Sequence, residues 1–182
     1  MGKTDLSKYN NSWYKPGSKL KIILWYILSR VFIDTSIPFP YSLKRSILRL
    51  FGAKVGKRVV FKQRVIIKYP WFLTVGDETW IGENVWIDNL TDVTVGKNCC
   101  LSQGSMLLTG NHDYKKSTFD LILKPIILED GSWIGAKATV CPGVTIHSHA
   151  VLSVGSVATT DLKSSTIYQG NPAVNKTQRL IN

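Results

Sequence analysis

A period of six residues between Val55 and Leu152 constrains this chain more than any other feature. Aliphatic or large apolar residues fall at Val55, Phe61 and Ile67, at Val75, Ile81 and Ile87, and at Val95, Leu101 and Leu107. They recur at Leu128, Ile134, Val140, Ile146 and Leu152. That makes fourteen positions in four runs, thirteen of them aliphatic. The residue four further on is small or β-branched at Val59, Val65, Thr79, Val85, Thr91, Cys99, Ser105, Ser132, Ala138, Val144, Ala150 and Ser156. Glycine directly follows the apolar residue at Gly56, Gly76, Gly82, Gly96 and Gly135. Such a register is neither the period of a helix nor the alternation of a strand, and it marks an internal repeat.

Six residues make one short flat strand and one turn. Three such units close a triangular coil, with the apolar residue pointing inward at every step and the small residue near the corner. No coil buries its apolar interior alone, so several must stack through parallel backbone hydrogen bonds. Val55 to Val75 and Val75 to Val95 are 20 residues each, and Leu128 to Ile146 is 18. Val95 to Leu128 is 33, so the third coil carries an insertion, placed at 109–127. The expected fold is all-β, a parallel β-helix of about five triangular coils over 55–163. A basic arm and helices at 1–54 precede it, and a tail at 164–182 follows.

The N-terminal third obeys a different rule. Residues 1–64 hold 14 Lys and Arg against two acids, Asp5 and Asp34, so they carry +12 of a net +11, the remaining 118 residues being −1. Residues 1–17 read as an extended arm. From Ser18 to Phe32 cations interleave with apolar residues as a basic helix with a wide apolar surface. Pro38 and Pro40 break it, Ser42 is placed to cap a second helix, and Gly52 ends that one. A basic segment seeks anions, whether lipid, nucleic acid or a polyanion, or it is simply a solvated face. Apolar residues with Trp25 and Tyr26 beside the charge fit a helix lying on an anionic membrane. The same helices also fit a cap over the open end of the β-helix, and one face could serve each role.

Three cysteines, Cys99, Cys100 and Cys141, form no disulfide framework and point to a reducing compartment. The longest apolar run, Ile22 to Leu28, is far short of the roughly 18 residues that span a bilayer, and no secretory leader is visible. The expectation is a cytoplasmic protein, peripheral to the inner membrane if the basic segment binds lipid. No nucleic-acid module, phosphate-binding glycine loop or serine-hydrolase elbow is present. The cysteine and histidine spacings indicate no metal site.

The three histidines differ in context. His147 and His149 lie in a regular coil and read as outward decoration. His112 opens the long insertion, and an excursion of that length needs a use. Imidazole titrates near neutrality, which suits a general base. Asp113 or the backbone could orient its ring. Asp88 and Asn89 end the second coil. Trp71 and Trp86 either stack on a ligand ring or fill a corner.

The hexad resembles that of the hexapeptide-repeat acyltransferases. A closer likeness, to acetyltransferases assigned to colanic acid biosynthesis and similar exopolysaccharide O-acetyltransferases, is carried by several short runs. These are Phe51–Gly56, Tyr69-Pro70-Trp71, Leu101-Ser102-Gln103, Thr109–Tyr114, Trp133-Ile134-Gly135 and Gly170–Ala173. The resemblance implies a left-handed β-helix, a homotrimer and acetyl-CoA as donor. It also implies a saccharide acceptor, lipid-linked in many such pathways, and direct transfer with His112 as general base. For the donor it implies contacts at Ala136, Val154, Thr159 and Thr160, with Lys176 and Arg179 beyond the last coil as candidates for the CoA phosphates. Asp88, Asn89 and Asp113 are the acceptor candidates. The rival from another class is a non-catalytic β-helix scaffold, which would have no use for a histidine in an insertion.

Overall fold

A computed structural model describes residues 2–181. Two helices precede a three-sided stack of short parallel strands. The first face is built from Lys54–Val55, Leu73–Val75, Val93–Val95, Ile126–Leu128 and Thr145–Ile146. The second runs Val60–Phe61, Trp80–Ile81, Cys100–Leu101, Trp133–Ile134, Val151–Leu152 and Thr166–Gly170. The third runs Ile66–Ile67, Trp86–Asp88, Met106–Leu108, Thr139–Val140 and Val157–Ala158. The hexad sets the register: Val55 pairs with Val75, Val75 with Val95, Val95 with Leu128 and Leu128 with Ile146.

All fourteen repeat residues are buried. Eleven of the twelve small positions are buried too; Thr91, in a corner widened by extra residues, is half-exposed. Backbones of successive coils touch closely. A Cβ on Gly76 would lie 2.6 Å from the carbonyl carbon of Gly96, so glycine is required there. A third linked position also exists. The residue three after the apolar one has left-handed backbone at Arg58, Arg64, Glu78, Asn84, Asn98, Lys137 and His149, and at Gly104, Gly131, Gly143 and Gly155. It turns each corner.

Five coils are complete, and a sixth begins. Leu162 bridges Ile146, and Thr166–Gly170 pairs in parallel with Val151–Leu152. Residues 164–182, expected as a tail, therefore contain a strand of the stack. Ala173–Gln178 folds back on it antiparallel, so its register need not follow the hexad.

The helices close the other end. α1 (Lys19–Phe32) is capped by Ser18, whose hydroxyl accepts from the Lys21 N–H. α2 (Tyr41–Leu50) begins one residue before Ser42: Pro40 occupies the cap, and its carbonyl accepts from the Lys44 N–H. No side-chain oxygen caps this helix; its exposed first turn leaves the orphan N–H groups to water. Gly52 follows α2 with φ +99°.

The first coil has no coil beneath it, so its outward carbonyls lack strand partners. Higher up, the equivalent carbonyls of Val75, Thr79 and Ile87 accept from Gly56, Val60 and Lys68 below them. At the open end side chains take over. Arg49 donates to the Val55 carbonyl at 2.9 and 2.7 Å, and Arg45 to Val59 at 2.9 Å. The Trp25 indole donates to Ile67 at 2.9 Å, and Lys44, almost wholly buried, donates to Lys62 at 2.7 Å. Part of the basic excess thus replaces a missing layer of backbone donors.

Candidate active site

The corner where the third face turns into the first collects the polar chemistry. Going up the stack it holds Lys68–Trp71, Asp88–Thr91, the insertion, Cys141–Gly143 and Thr159–Asp161. Buried Thr109 roots the insertion. Its hydroxyl donates to the Asp88 carbonyl at 2.9 Å and accepts from the Leu90 N–H at 2.8 Å.

The insertion is a hairpin. Gly110–His112 pairs antiparallel with Leu121–Leu123, setting His112 opposite Leu121. The turn between them is held by the Asp113 N–H donating to the Asp120 carbonyl at 2.8 Å. Phe119, with left-handed backbone (φ 52°), lies against His112. The two rings stack 4.3 Å apart and 8° from parallel, and Nδ1 of His112 is 2.9 Å from the Phe119 carbonyl. A carbonyl only accepts, so the geometry assigns the ring proton to Nδ1 and leaves the Nε2 lone pair free. Tyr9 meets the imidazole edge-on at 5.6 Å. It belongs to the N-terminal arm, which lies along this corner. The Asp5 N–H donates to the Ser117 carbonyl at 2.9 Å, Tyr14 Oη to Leu90 at 2.5 Å, and the Trp71 indole to the Pro16 carbonyl at 2.6 Å. Burial, with the nearby charges of Tyr69 and Asp88, pushes the Tyr14 phenol well above its usual pKa, so it stays a donor.

Other expected site residues separate into groups. The backbone, not Asp113, orients His112, because the Asp113 carboxylate accepts from the Lys115 N–H within its own turn. Asp88 is half-buried on the corner, its Oδ1 3.3 Å from Lys68 Nζ and without an aligned hydrogen bond. Asn89 is corrected to a structural role. It is fully buried, its amide oxygen accepts from the Lys68 and Tyr69 N–H groups, and its amide nitrogen donates to the Tyr69 carbonyl.

Ala136 and Val154 do come together, at the corner between the second and third faces, where the Gly155 N–H donates to the Ala136 carbonyl at 2.9 Å. Exposed Thr159 and Thr160 sit on the His112 corner, above the insertion. Lys176 is exposed at the register shift of the closing hairpin. Arg179 is elsewhere: its guanidinium donates to the Gly131 and His149 carbonyls at 2.9 and 3.1 Å, on the corner between the first and second faces. That engagement makes it a clasp for the C-terminal hairpin rather than a phosphate ligand beside Ala136. His147 pairs with Glu129 at 3.0 Å, within the coils. Phe119 and Tyr9 went unread in the sequence. The signal was an aromatic seven residues beyond the histidine, which a hairpin brings back to it; nothing local marks Tyr9.

No family model matches the chain. It is 36% identical over 161 residues to WcaF of Escherichia coli K12, provisionally named a colanic acid biosynthesis acetyltransferase, covering 88% of each chain. It is 26% identical over 141 residues to the galactoside O-acetyltransferase of the same organism, covering 75% of this chain and 69% of the other. The fold matches the crystal structure of a hexapeptide-repeat acetyltransferase from Vibrio cholerae O1 biovar eltor complexed with acetyl-CoA. The TM-score is 0.78 with 22% identity, over 91% of this chain and 92% of that one. A three-faced parallel solenoid, a hexad that sets its register and the identity to WcaF over nearly the whole chain converge: this protein belongs to the hexapeptide-repeat acetyltransferases, with their left-handed β-helix.

Proposed function

We propose that the chain transfers an acetyl group from acetyl-CoA to a hydroxyl of a saccharide during cell-surface polysaccharide assembly, with His112 as general base. The observation that carries this is the clamp on His112. Phe119 holds both the face of the ring and Nδ1, leaving Nε2 as the acceptor in the one long insertion of the solenoid. Acetyl-CoA supplies the acyl group as a thioester. Nε2 takes the hydroxyl proton as the acceptor oxygen bonds to the acyl carbon, and the same proton then reaches the departing sulfur. The Phe119 carbonyl, still accepting from Nδ1–H, favours the transient imidazolium.

The names of WcaF and the galactoside enzyme support a saccharide acceptor, and the acetyl-CoA complex of the Vibrio protein supports the donor. Asp88 and Asp113 stand below and beside the base for the acceptor. Ala136, Val154, Thr159 and Thr160 flank the third face above it for the donor's pantetheine arm, with Lys176 toward the phosphates. The working unit in this reading is a cytoplasmic homotrimer with sites shared between neighbours, and light scattering that gave the mass of one chain would refute it.

The experiment is thiol release from acetyl-CoA with a panel of free, nucleotide-linked and lipid-linked sugars. His112→Ala should lower turnover by about 10² to 10⁴ with the fold retained. A variant that kept most of its activity would remove His112 from the role. No thiol release with any acceptor would favour the scaffold.

A further inference from the structure

Helix α1 uses only one side to hold the protein together. Trp25 is buried against Ile67, and Leu28 and Phe32 pack at the edge of the core. The other side carries Leu20, Ile23, Leu24, Ile27 and Val31, spaced three or four apart as one stripe. Each of these aliphatics remains between 46% and 68% exposed. Tyr26 is exposed near the stripe, and Ile37, Leu43 and Leu50 extend the exposed apolar residues into the link and α2. An apolar surface of this extent on one cap marks an interaction site.

The surrounding charge narrows the partner. From Tyr14 to Ile33 the chain has four cations and no acid. Two of the four are engaged: Lys21 lies over the Trp71 ring, and Arg30 pairs with Asp34. Lys15 and Lys19, at the start of the stripe, are exposed and pair with no carboxylate among the described residues. The cations of α2 face the other way, onto the first coil. An aliphatic stripe, an interfacial tyrosine and uncompensated lysines are the parts of a helix that lies in a lipid headgroup layer. No helix among the described residues is long and apolar enough to cross the bilayer.

We propose that the exposed side of α1 docks on an anionic phospholipid surface, while its inner side and α2 cap the β-helix. This deepens the functional reading by giving a lipid-linked acceptor a place to be met, and rests on that reading for this consequence alone; the docking is tested without catalysis.

The test is flotation of the full chain with phosphatidylcholine vesicles carrying increasing phosphatidylglycerol. Binding should rise with phosphatidylglycerol and fade with added salt. Ile23→Gln and Ile27→Gln should each weaken it about ten-fold, because each removes one aliphatic side chain from the buried surface. Lys15→Gln and Lys19→Gln should each weaken it about five-fold and blunt its dependence on phosphatidylglycerol. All four side chains are exposed, so thermal unfolding should be unchanged. No binding to phosphatidylglycerol-rich vesicles at low salt overturns the proposal, as does binding indifferent to Ile23 and Ile27. A smaller assembly mass for the Ile23→Gln/Ile27→Gln variant would also overturn it, assigning the face to a second copy. Lost flotation with unchanged transfer to a soluble sugar would separate failure of docking from failure of the catalytic reading.

Discussion

At the scale of single residues, polar side chains repeatedly stand where the repeat cannot supply a partner. Glu129 follows Leu128 at the outside of a coil. Its Oε2 accepts from the Ser148 N–H and hydroxyl at 2.9 and 3.0 Å, and its Oε1 lies 3.0 Å from His147. The Ser148 backbone bond first, then the Ser148 hydroxyl, hold its carboxyl below the ordinary glutamate value. A carboxyl depressed in the folded state stabilises above its unfolded pKa, and that contribution is lost as pH falls through the folded value. Glu129→Gln should therefore lower stability at neutral pH, where that contribution is fully present, and converge with the parent chain at low pH, so that its own loss of stability on acidification is flatter. Urea midpoints measured across that range would check it. An unaltered acid limb would mean the bonds to Ser148 are too exposed to matter.

At the scale of elements, the stack was legible because one inward residue in six must be apolar, and a hexad leaves no other way to bury Val55 through Leu152. The caps were not. Lys44, Arg45 and Arg49 read as one charged side of a short helix, and nothing in their own sequence says that Val55, Val59 and Lys62 carbonyls wait beneath them. Nor does the hexad announce Thr166–Gly170, whose partner on the far side is antiparallel. His112 was legible as the histidine of an insertion. Its clamp was not, because Phe119 reaches it by a hairpin and Tyr9 from an arm more than a hundred residues away. Asn89 and Arg179 have residue types suited to ligands, yet their groups go to backbone carbonyls and amides that sequence does not display. The cap can be tested at its buried member. Burial pushes the Lys44 ammonium below the ordinary lysine pKa, yet its bond to Lys62 remains. Lys44→Ala opens a void and strands that carbonyl, and should cost about 2–4 kcal/mol. Lys44→Met fills the void and should cost about 1 kcal/mol less or better, since it also removes a buried charge. Equal losses in chemical denaturation would show that the carbonyl, not the volume, governs the cap.

At the scale of the whole molecule, the solenoid is a stack with two ends, and each has its own closure. The upper end finishes in the antiparallel strand Ala173–Gln178, clasped by Arg179. The lower end is finished by side chains from α1 and α2 rather than by another strand. Any stack held by parallel backbone bonds presents, at an uncovered end, the same template that built its interior, and a template of that kind recruits other chains. The helices therefore govern colloidal behaviour as much as stability: they are what keeps a repeat protein from growing. A chain beginning at Ala53 should retain its β-sheet circular dichroism but gain scattering mass steadily with concentration, while the intact chain holds one mass throughout.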